Sequence, residues 1–213
     1  MNARTLAALL LVAAAGCTVD NNASLRISAA CFPPAPSDDG TCSYPATCDS
    51  KMLDNLWVDT TYAPTLGTLF WPFQVDNLRP DNGDRDGGTN TAVAFITGYK
   101  ISYTSSIVSI PSVTLDYTTQ TVEAAGSAVI AIPVIPPSVA TSLAVNPLLL
   151  ADVRAEIRAT GHYADGQTFE TGPFSVVVVV VNGRGAGGGC TDVTQSVVAA
   201  CPQLGQSAVP LCK

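Results

Sequence analysis

Four groups of residues in this 213-residue chain have types and spacings suited to chemistry. Seven cysteines, Cys17, Cys31, Cys42, Cys48, Cys190, Cys201 and Cys212, can supply thioethers, disulfides or metal ligands. In Asn82-Gly83-Asp84-Arg85-Asp86-Gly87, the residues Asn82, Asp84, Asp86 and Gly87 stand at positions one, three, five and six of a calcium loop. Alternating oxygen ligands and a glycine turn wrap a hard cation at that spacing. Position twelve, where a bidentate Glu belongs, is Val93, and Arg85 dilutes the charge, so an acidic turn between strands competes with the calcium reading. Gly183-Arg184-Gly185-Ala186-Gly187-Gly188 satisfies Gly-x-Gly-x-x-Gly, but the 25 residues after Gly188 hold three cysteines and no second strand with an acidic end. That run reads as a linker. The single His162 has Asp165 and Glu170 nearby in sequence but no positioned Ser or Cys nucleophile, and reads as a solvated surface residue. No catalytic residue is assigned.

The cysteines divide by position. Three lie before residue 50 after Cys17, three lie after residue 189, no Cys-x-x-Cys occurs, and His162 is remote from both clusters, which disfavours zinc. Six cysteines in an exported chain read as a disulfide framework. Each cluster holds an odd number, so if all six pair, at least one bridge joins the two ends. Such a bridge constrains the unfolded chain by about 4–5 kcal/mol.

The N-terminus explains the seventh cysteine. Arg4 precedes the apolar run Thr5-Leu6-Ala7-Ala8-Leu9-Leu10-Leu11-Val12-Ala13, which is too short for a permanent membrane span and reads as a secretory signal peptide. The closing Ala14-Ala15-Gly16-Cys17 resembles the lipobox of bacterial lipoproteins. The resemblance covers residues 1–17 and implies cleavage before Cys17, acylation of Cys17, and a palmitate-bearing lipid anchor in the cell envelope. Thr18 after the lipidated Cys, in place of Asp, implies the outer membrane.

Composition narrows the partners. Hydrophobic residues make up 47% of the chain and charged residues only 13%, about half the usual share, which excludes intrinsic disorder. Ten Lys and Arg face 17 Asp and Glu for a net charge of −7, and removing the leader takes away Arg4 and leaves −8. That balance argues against nucleic acid as a partner.

The chain divides into a signal peptide at 1–16, a lipidated tether at 17–30, a Cys- and Pro-rich segment at 31–66, a β-sandwich at 67–183, and a Gly linker with a Cys-containing tail at 184–213 that packs on the sandwich. Strands are read in Thr68–Val75, which is aromatic and bounded by Asp76-Asn77, in Thr91–Tyr103, which is rich in β-formers and alternates in its latter half, in Ala128–Ile135, which ends at Pro136-Pro137, and by period-two alternation in Val113–Thr118 and Val153–His162. Asp165-Gly166 then turns the chain into Thr168-Phe169-Glu170. The expected fold is all-β, an antiparallel sandwich resembling immunoglobulin and fibronectin-III domains, with disulfide-linked extensions and a closed barrel as the alternative. Pro147–Asp152 has room for one helical turn. Asp192 and Gln195 at capping-box spacing, with Val193, Val197, Val198 and Ala200, predict a short C-terminal helix. Val176–Val181 is six valines, and a strand apolar on both faces needs cover on both. The bridged terminal segments are the expected cover, and a partner surface is the alternative.

These features describe a membrane-anchored envelope lipoprotein acting as a structural or binding module without enzymatic activity or cofactor. Its expected partners are the membrane, through the lipid, and an envelope protein or glycan. Two alternatives are a calcium-dependent carbohydrate-binding or enzymatic domain using the loop at 81–90, and a subunit of an envelope assembly using the valine strand. Calcium bound at Asn82, Asp84 and Asp86 raises the melting temperature on titration; an unchanged value at millimolar calcium removes that site.

Overall fold

The protein is described from a computed structural model. The residues it describes are 24–32, 37–39, 41, 46–49, 51, 56–59, 68–82, 90–144, 151–181, 197–199 and 211–212. Two sheets share one apolar core. The smaller sheet is antiparallel, with β1 (Leu25–Ala30), β3 (Leu69–Asn77) and β6 (Ser127–Ile135) in the order β1-β3-β6. The larger runs β2 (Leu56–Asp59), β9 (Phe174–Val181), β7 (Ala151–Tyr163), β4 (Ala94–Thr104) and β5 (Val113–Val122), with β8 (Thr168–Glu170) also paired to β7. Its pairs are antiparallel except β2 with β9, which is parallel. Among the described residues no helix is long and apolar enough to cross a membrane.

Alternation explains the layers. In β3, Leu69, Trp71, Phe73 and Val75 are buried in the shared core. In β7, Val153, Ala155, Ile157 and Ala159 face that core, while Asp152 and Arg154 are exposed and Glu156 and Arg158 half-exposed on the other side. Phe73 meets Phe174 edge-on across the layers at 5.8 Å between ring centroids, and the Tyr103 hydroxyl donates to the Val134 carbonyl at 2.8 Å. Burial pushes the Tyr103 phenol above its ordinary value, so it stays a donor at physiological pH.

The chain passes from β6 to β7 through α1 (Pro137–Ala144). Pro137 suits a first helical position, and Val139, Ala140 and Leu143, on one side of the helix, are buried in the core. Helix forms at 137–144; of the turn expected at Pro147–Asp152, residues 147–150 lie outside the described residues, and Ala151 and Asp152 open β7. The Asp165-Gly166 hairpin forms as expected: Gly166 has φ +84°, and the Tyr163 N–H donates to the Gln167 carbonyl at 2.9 Å. Beyond β8, Thr171 fills a break before β9; its hydroxyl accepts from the Ala159 N–H at 3.0 Å and its own N–H donates to the Ala159 carbonyl.

Three boundaries differ from the sequence reading. The tether does not extend to residue 30, because Leu25, Ile27 and Ala29 alternate with Arg26 and Ser28, and β1 buries the apolar set against β3. The Cys- and Pro-rich segment contributes β2 to the larger sheet, so 67 is not the start of the fold. The C-terminal helix is replaced, over the described residues, by strand: β10 (Val197–Ala199) pairs antiparallel with β11 (Leu211–Cys212), Val197 facing Cys212. Two consecutive β-branched valines favour that outcome over a single helical turn.

The valine strand has a definite arrangement. Val176 and Val177 are half-buried, whereas Val178, Val179, Val180 and Val181 are buried. Those last four are the residues that β2 flanks, Leu56 pairing Val178 through to Asp59 pairing Val181. Val178 and Val180 belong to the inter-sheet core, while Val179 and Val181 point away from it and are still covered by the chain itself.

The layers have two distinct ends. Ser24, Asn77, Ala92, Val122 and Tyr163 mark one; Cys31, the 105–112 connection, Ile135 and Val181 mark the other. Gly161 permits close approach of β7 to β4, since a Cβ there would lie 2.0 Å from the Phe95 carbonyl oxygen. Gly161→Ala is therefore expected to destabilise by about 2 kcal/mol. Gly172, with open space around it, should accept Ala within about 0.5 kcal/mol. Urea denaturation of the two variants checks the contrast.

Candidate functional site

Asp76 and Asn77, which end β3, are buried together with Thr171, and these three are the buried polar residues among those described. Arg26 pairs Asp76 from β1 and Ser127 pairs it from β6, so the Asp76 carboxylate sits where three strands meet. Its Oδ1 accepts from Gln74 Nε2 at 2.8 Å and Ser127 Oγ at 2.8 Å, and its Oδ2 accepts from Arg26 Nε at 3.3 Å. Burial raises the Asp76 pKa, but the donors from Gln74, Ser127 and Arg26 outweigh it and hold the carboxyl below its ordinary range. It is ionised at neutral pH and saturated with donors. It acts as a clamp.

Against this outward face lies the segment carrying Cys48. Cys31 and Cys48 are joined by a disulfide, the one bridge among the described residues. Cys31 is fully buried; its N–H donates to the Pro72 carbonyl at 2.9 Å, and its carbonyl accepts from Trp71 Nε1 at 3.1 Å. The bridge thus hangs residues 46–49 from the central strand of the small sheet. Between them and Gln74, Ser127, Ala128 and Val129 is an open groove of about 270 Å³, at the lower margin for enclosing a small molecule. In the same Cys-rich segment the Ser37 and Thr41 hydroxyls and the Thr41 N–H converge on Asp39 and draw its carboxyl down to about 2.

A second surface closes the end marked by Cys31. Residues 103–110 curl around an open depression of about 360 Å³, where Ile107 is 54% exposed; Phe32, next to Cys31, is 47% exposed, and Leu78, beside Asn77 at the other end, 52%. Large apolar side chains exposed on connections rather than strands are suited to contact with a partner.

With this geometry in place, comparison with known proteins is brief. The chain matches no protein family, no curated protein and no solved structure.

The outer face of the large sheet is a lattice of charges. Lys100 and Arg158 are direct cross-strand partners, a like-charge pair that opposes the sheet. Glu170 stands between them, with Lys100 Nζ at 2.6 Å from Oε2 and Arg158 Nη1 at 3.8 Å from Oε1. Arg154 meets Glu156 at 3.5 Å and the Ser175 hydroxyl at 3.1 Å. Such exposed pairs contribute little each. His162 is exposed and stacks on Phe95 at 5.4 Å, the surface role expected for it, and Glu170 is engaged with the cations. Asp165, held below its ordinary range by the Gln167 N–H and then by Arg79, caps the hairpin.

Of the proposed calcium ligands only Asn82 is described; Asp84 and Asp86 lie outside the described residues, as does the glycine run at 183–188. Asn82 holds the neck of its loop, donating to the Thr91 hydroxyl at 2.9 Å and accepting from the Thr91 N–H at 3.2 Å, while Asn90 donates to Asp81 at 2.8 Å. Among the described residues no group of three or more His, Cys, Asp or Glu is placed to hold a metal ion. Cys17, Cys42, Cys190 and Cys201 also lie outside the described residues. Trp71 is fully buried, and Phe70 packs its ring against Tyr117 of the edge strand at 5.4 Å.

In sequence Asp76-Asn77 only bounds the strand Thr68–Val75, and the clamp is not legible there. Gln74 and Asp76, two apart in a strand, were the only local sign of it. Asp76→Asn is expected to cost about 1–3 kcal/mol. Because the folded carboxyl titrates below its unfolded value near 3.9, its stabilisation is full above that pH and is lost as pH falls through the folded value. Urea midpoints from roughly pH 6 to pH 2 should therefore decline less steeply in the variant than in the wild type.

Proposed function

We propose that the chain is an exported, lipid-anchored envelope lipoprotein whose two-layered β-domain, similar in arrangement to immunoglobulin and fibronectin-III domains, is a non-enzymatic structural or binding module. The observation that carries the module reading is where its buried polar groups are spent. Asp76 crosslinks β1, β3 and β6, Asn77 ties the two sheets, and Thr171 repairs the break between β8 and β9. The hydrogen bonds each makes hold strands or their ends in place, the pattern of a scaffold.

The lipobox-like Ala14-Ala15-Gly16-Cys17 supports the anchor, and the place of β1 adds a geometric consequence. Leu25 is eight residues after Cys17, so an acylated Cys17 holds the domain within about 28 Å of the membrane surface at full extension. The end marked by Ser24, Tyr163 and Arg79 then faces the lipid. The opposite end, with Phe32, Ile107 and the 105–112 connection, faces away and is the surface offered to an envelope protein or glycan.

Burial of Val178–Val181 within the chain, with β2 along their edge, favours self-cover over use of that strand as an assembly interface. The anchor is tested by growing cells with a clickable palmitate analogue. Label on the wild type and none on Cys17→Ser is expected, with the variant leaving the detergent-phase membrane fraction. Equal labelling of both overturns the lipoprotein reading.

A further inference from the structure

We propose that the outer edge of β6, from Ser127 to Ala131, is a docking strand for an extended segment of a partner protein that sets a Lys or Arg side chain beside Asp49. The proposal rests on the binding-module reading and not on the anchor. Among the described residues, five strands of the two layers have a neighbour on one side only: β1, β6, β2, β8 and β5. Four of them are blunted. β2 and β8 have four and three residues. β1 carries Arg26, and Lys51 bridges to Cys31 where that strand ends. In β5, Asp116 pairs Gly98 and Gln120 pairs Ile96, so Tyr117, Thr118 and Thr119 face Thr97 alone and the strand bulges. β6 has nine residues, no charge, and an unbroken register with β3 from Ser127 to Pro133.

Two hydrogen bonds show which groups of β6 face outward. The Asn77 N–H donates to the Gly126 carbonyl, and the Pro72 carbonyl accepts from the Cys31 N–H on the β1 side. Alternation along the ladder therefore turns the N–H and C=O groups of Ala128 and Ile130 toward β3 and those of Ser127, Val129 and Ala131 away from it. Among the described residues no backbone hydrogen bond reaches those three from the far side. Ser127 is exposed and Val129 and Ala131 are half-buried, whereas Pro133, Val134 and Ile135 are buried and close the edge. An antiparallel segment that exchanges two bonds with each of the three residues gains up to about six.

The groove beside this edge selects the side chain. Residues directly opposite in an antiparallel pair put their side chains on one face. Ile130 points into the core, so Val129 points out, and so does the residue that pairs with it. On that outer face lies the groove of about 270 Å³, lined by Ser127 and Val129 and, across from them, by Thr47 and the exposed Asp49. Asp49 accepts from the Thr47 hydroxyl at 3.1 Å, and no cation lines the groove. The chain as a whole carries a net charge of −7. A basic side chain opposite Val129 therefore meets complementary charge, and an acidic one meets repulsion. A second copy of β6 would bring only small uncharged side chains there, with nothing to meet Asp49, so the partner is a different protein.

The test follows backbone amides of the isotope-labelled full-length protein by NMR. Without a partner, the Val129 and Ala131 amides should exchange with solvent at least about a hundredfold faster than those of Ala128 and Ile130. The probe is a five-residue acetylated and amidated peptide in which threonine and valine alternate around a central lysine. It should shift the Val129 and Ala131 resonances and slow their exchange, and the same peptide with a central glutamate should bind about tenfold more weakly. Ala131→Pro removes one outward donor, keeps the β3 ladder and places proline where Pro133 already follows two residues on, so it should abolish the response. Should that variant fail to fold, Asp49→Asn leaves the strand untouched and should erase the preference for lysine. Slow exchange of all four amides in the free protein overturns the proposal, because the chain then covers its own edge. So does slowing that grows with protein concentration alone, which puts a second copy there. Equal binding of the two peptides overturns the basic partner. Intact peptide with shifts only around Ile107 overturns this site and leaves the module reading standing, whereas cleaved peptide overturns the non-enzymatic reading itself.

Discussion

The side-chain amide of Asn77 sets how the two sheets meet. Its Nδ2 donates to the Ala92 carbonyl at 2.8 Å and the Val122 carbonyl at 3.2 Å, and its Oδ1 accepts from the Arg79 N–H at 3.1 Å. Its own N–H donates to the Gly126 carbonyl at 2.8 Å. One residue at the end of β3, in the smaller sheet, thereby holds the entry to β4 and the last residue of β5, both in the larger. Asn77 is 1% exposed, and an amide so buried costs roughly 1–3 kcal/mol when a partner is missing. The layers are therefore not free to slide: a shift of one residue strands a buried donor or acceptor. With that end fixed, the Tyr103 hydroxyl meets Val134 at the other, and Phe73 and Phe174 interlock between them. Hydrophobic burial supplies most of the driving force for association but no register; the amide supplies register.

Around this tie the same end is reinforced by groups that share their partners. The Tyr163 ring is fully buried; its hydroxyl meets Ser24 Oγ at 2.7 Å, and the Arg79 guanidinium lies over its face at 4.2 Å while reaching Asp165 at 2.9 Å. Ala125, with φ at 50°, is held in the left-handed region by its N–H donating to the Arg79 carbonyl at 2.8 Å, which lets the chain turn from β5 in one sheet to β6 in the other. Among the described residues, Phe32 and Ile107 are exposed toward the opposite end and Leu78 beside Asn77.

What the sequence made legible was whatever repeats at short range. The alternation of Val153, Ala155, Ile157 and Ala159 gave the core face of β7, and Asp165-Gly166 gave the hairpin. Strands whose identity depends on distant partners were harder to read. Leu25–Ala30 has clear alternation but follows an apolar run and a polar stretch, so it read as tether. Leu56–Asp59 is four residues long, too short for periodicity to speak, and is a strand because β9 offers it an edge. Val197–Ala199 carried helical spacing with its neighbours, yet pairing with Leu211–Cys212 decided otherwise. The candidate site was illegible for the same reason. Arg26, Asp76 and Ser127 are separated by about fifty residues each, and only the β1-β3-β6 order places them on one carboxylate.

The valine strand shows how composition and topology constrain each other. Six consecutive valines cannot satisfy a sheet that is wet on one face, because alternation turns half of them outward. Their burial changes at Val178, and β2 begins its pairing at Val178. Parallel pairing requires a crossover, so β2 must be delivered from a separate part of the chain, and the Cys31–Cys48 segment precedes it. Once β2 is seated, β9 is no longer an edge over Val178–Val181, and the backbone groups there are not open to another chain. Val179 and Val181 are then covered on the face away from the core, while Val176 and Val177, before β2 begins, stay half-buried. The low charge of the sequence follows from the same requirement: a strand covered on both faces and both edges has no place for Lys or Glu. The charges that the chain does carry on its large sheet gather where β4, β7 and β8 leave one face wet, around Lys100, Arg158 and Glu170.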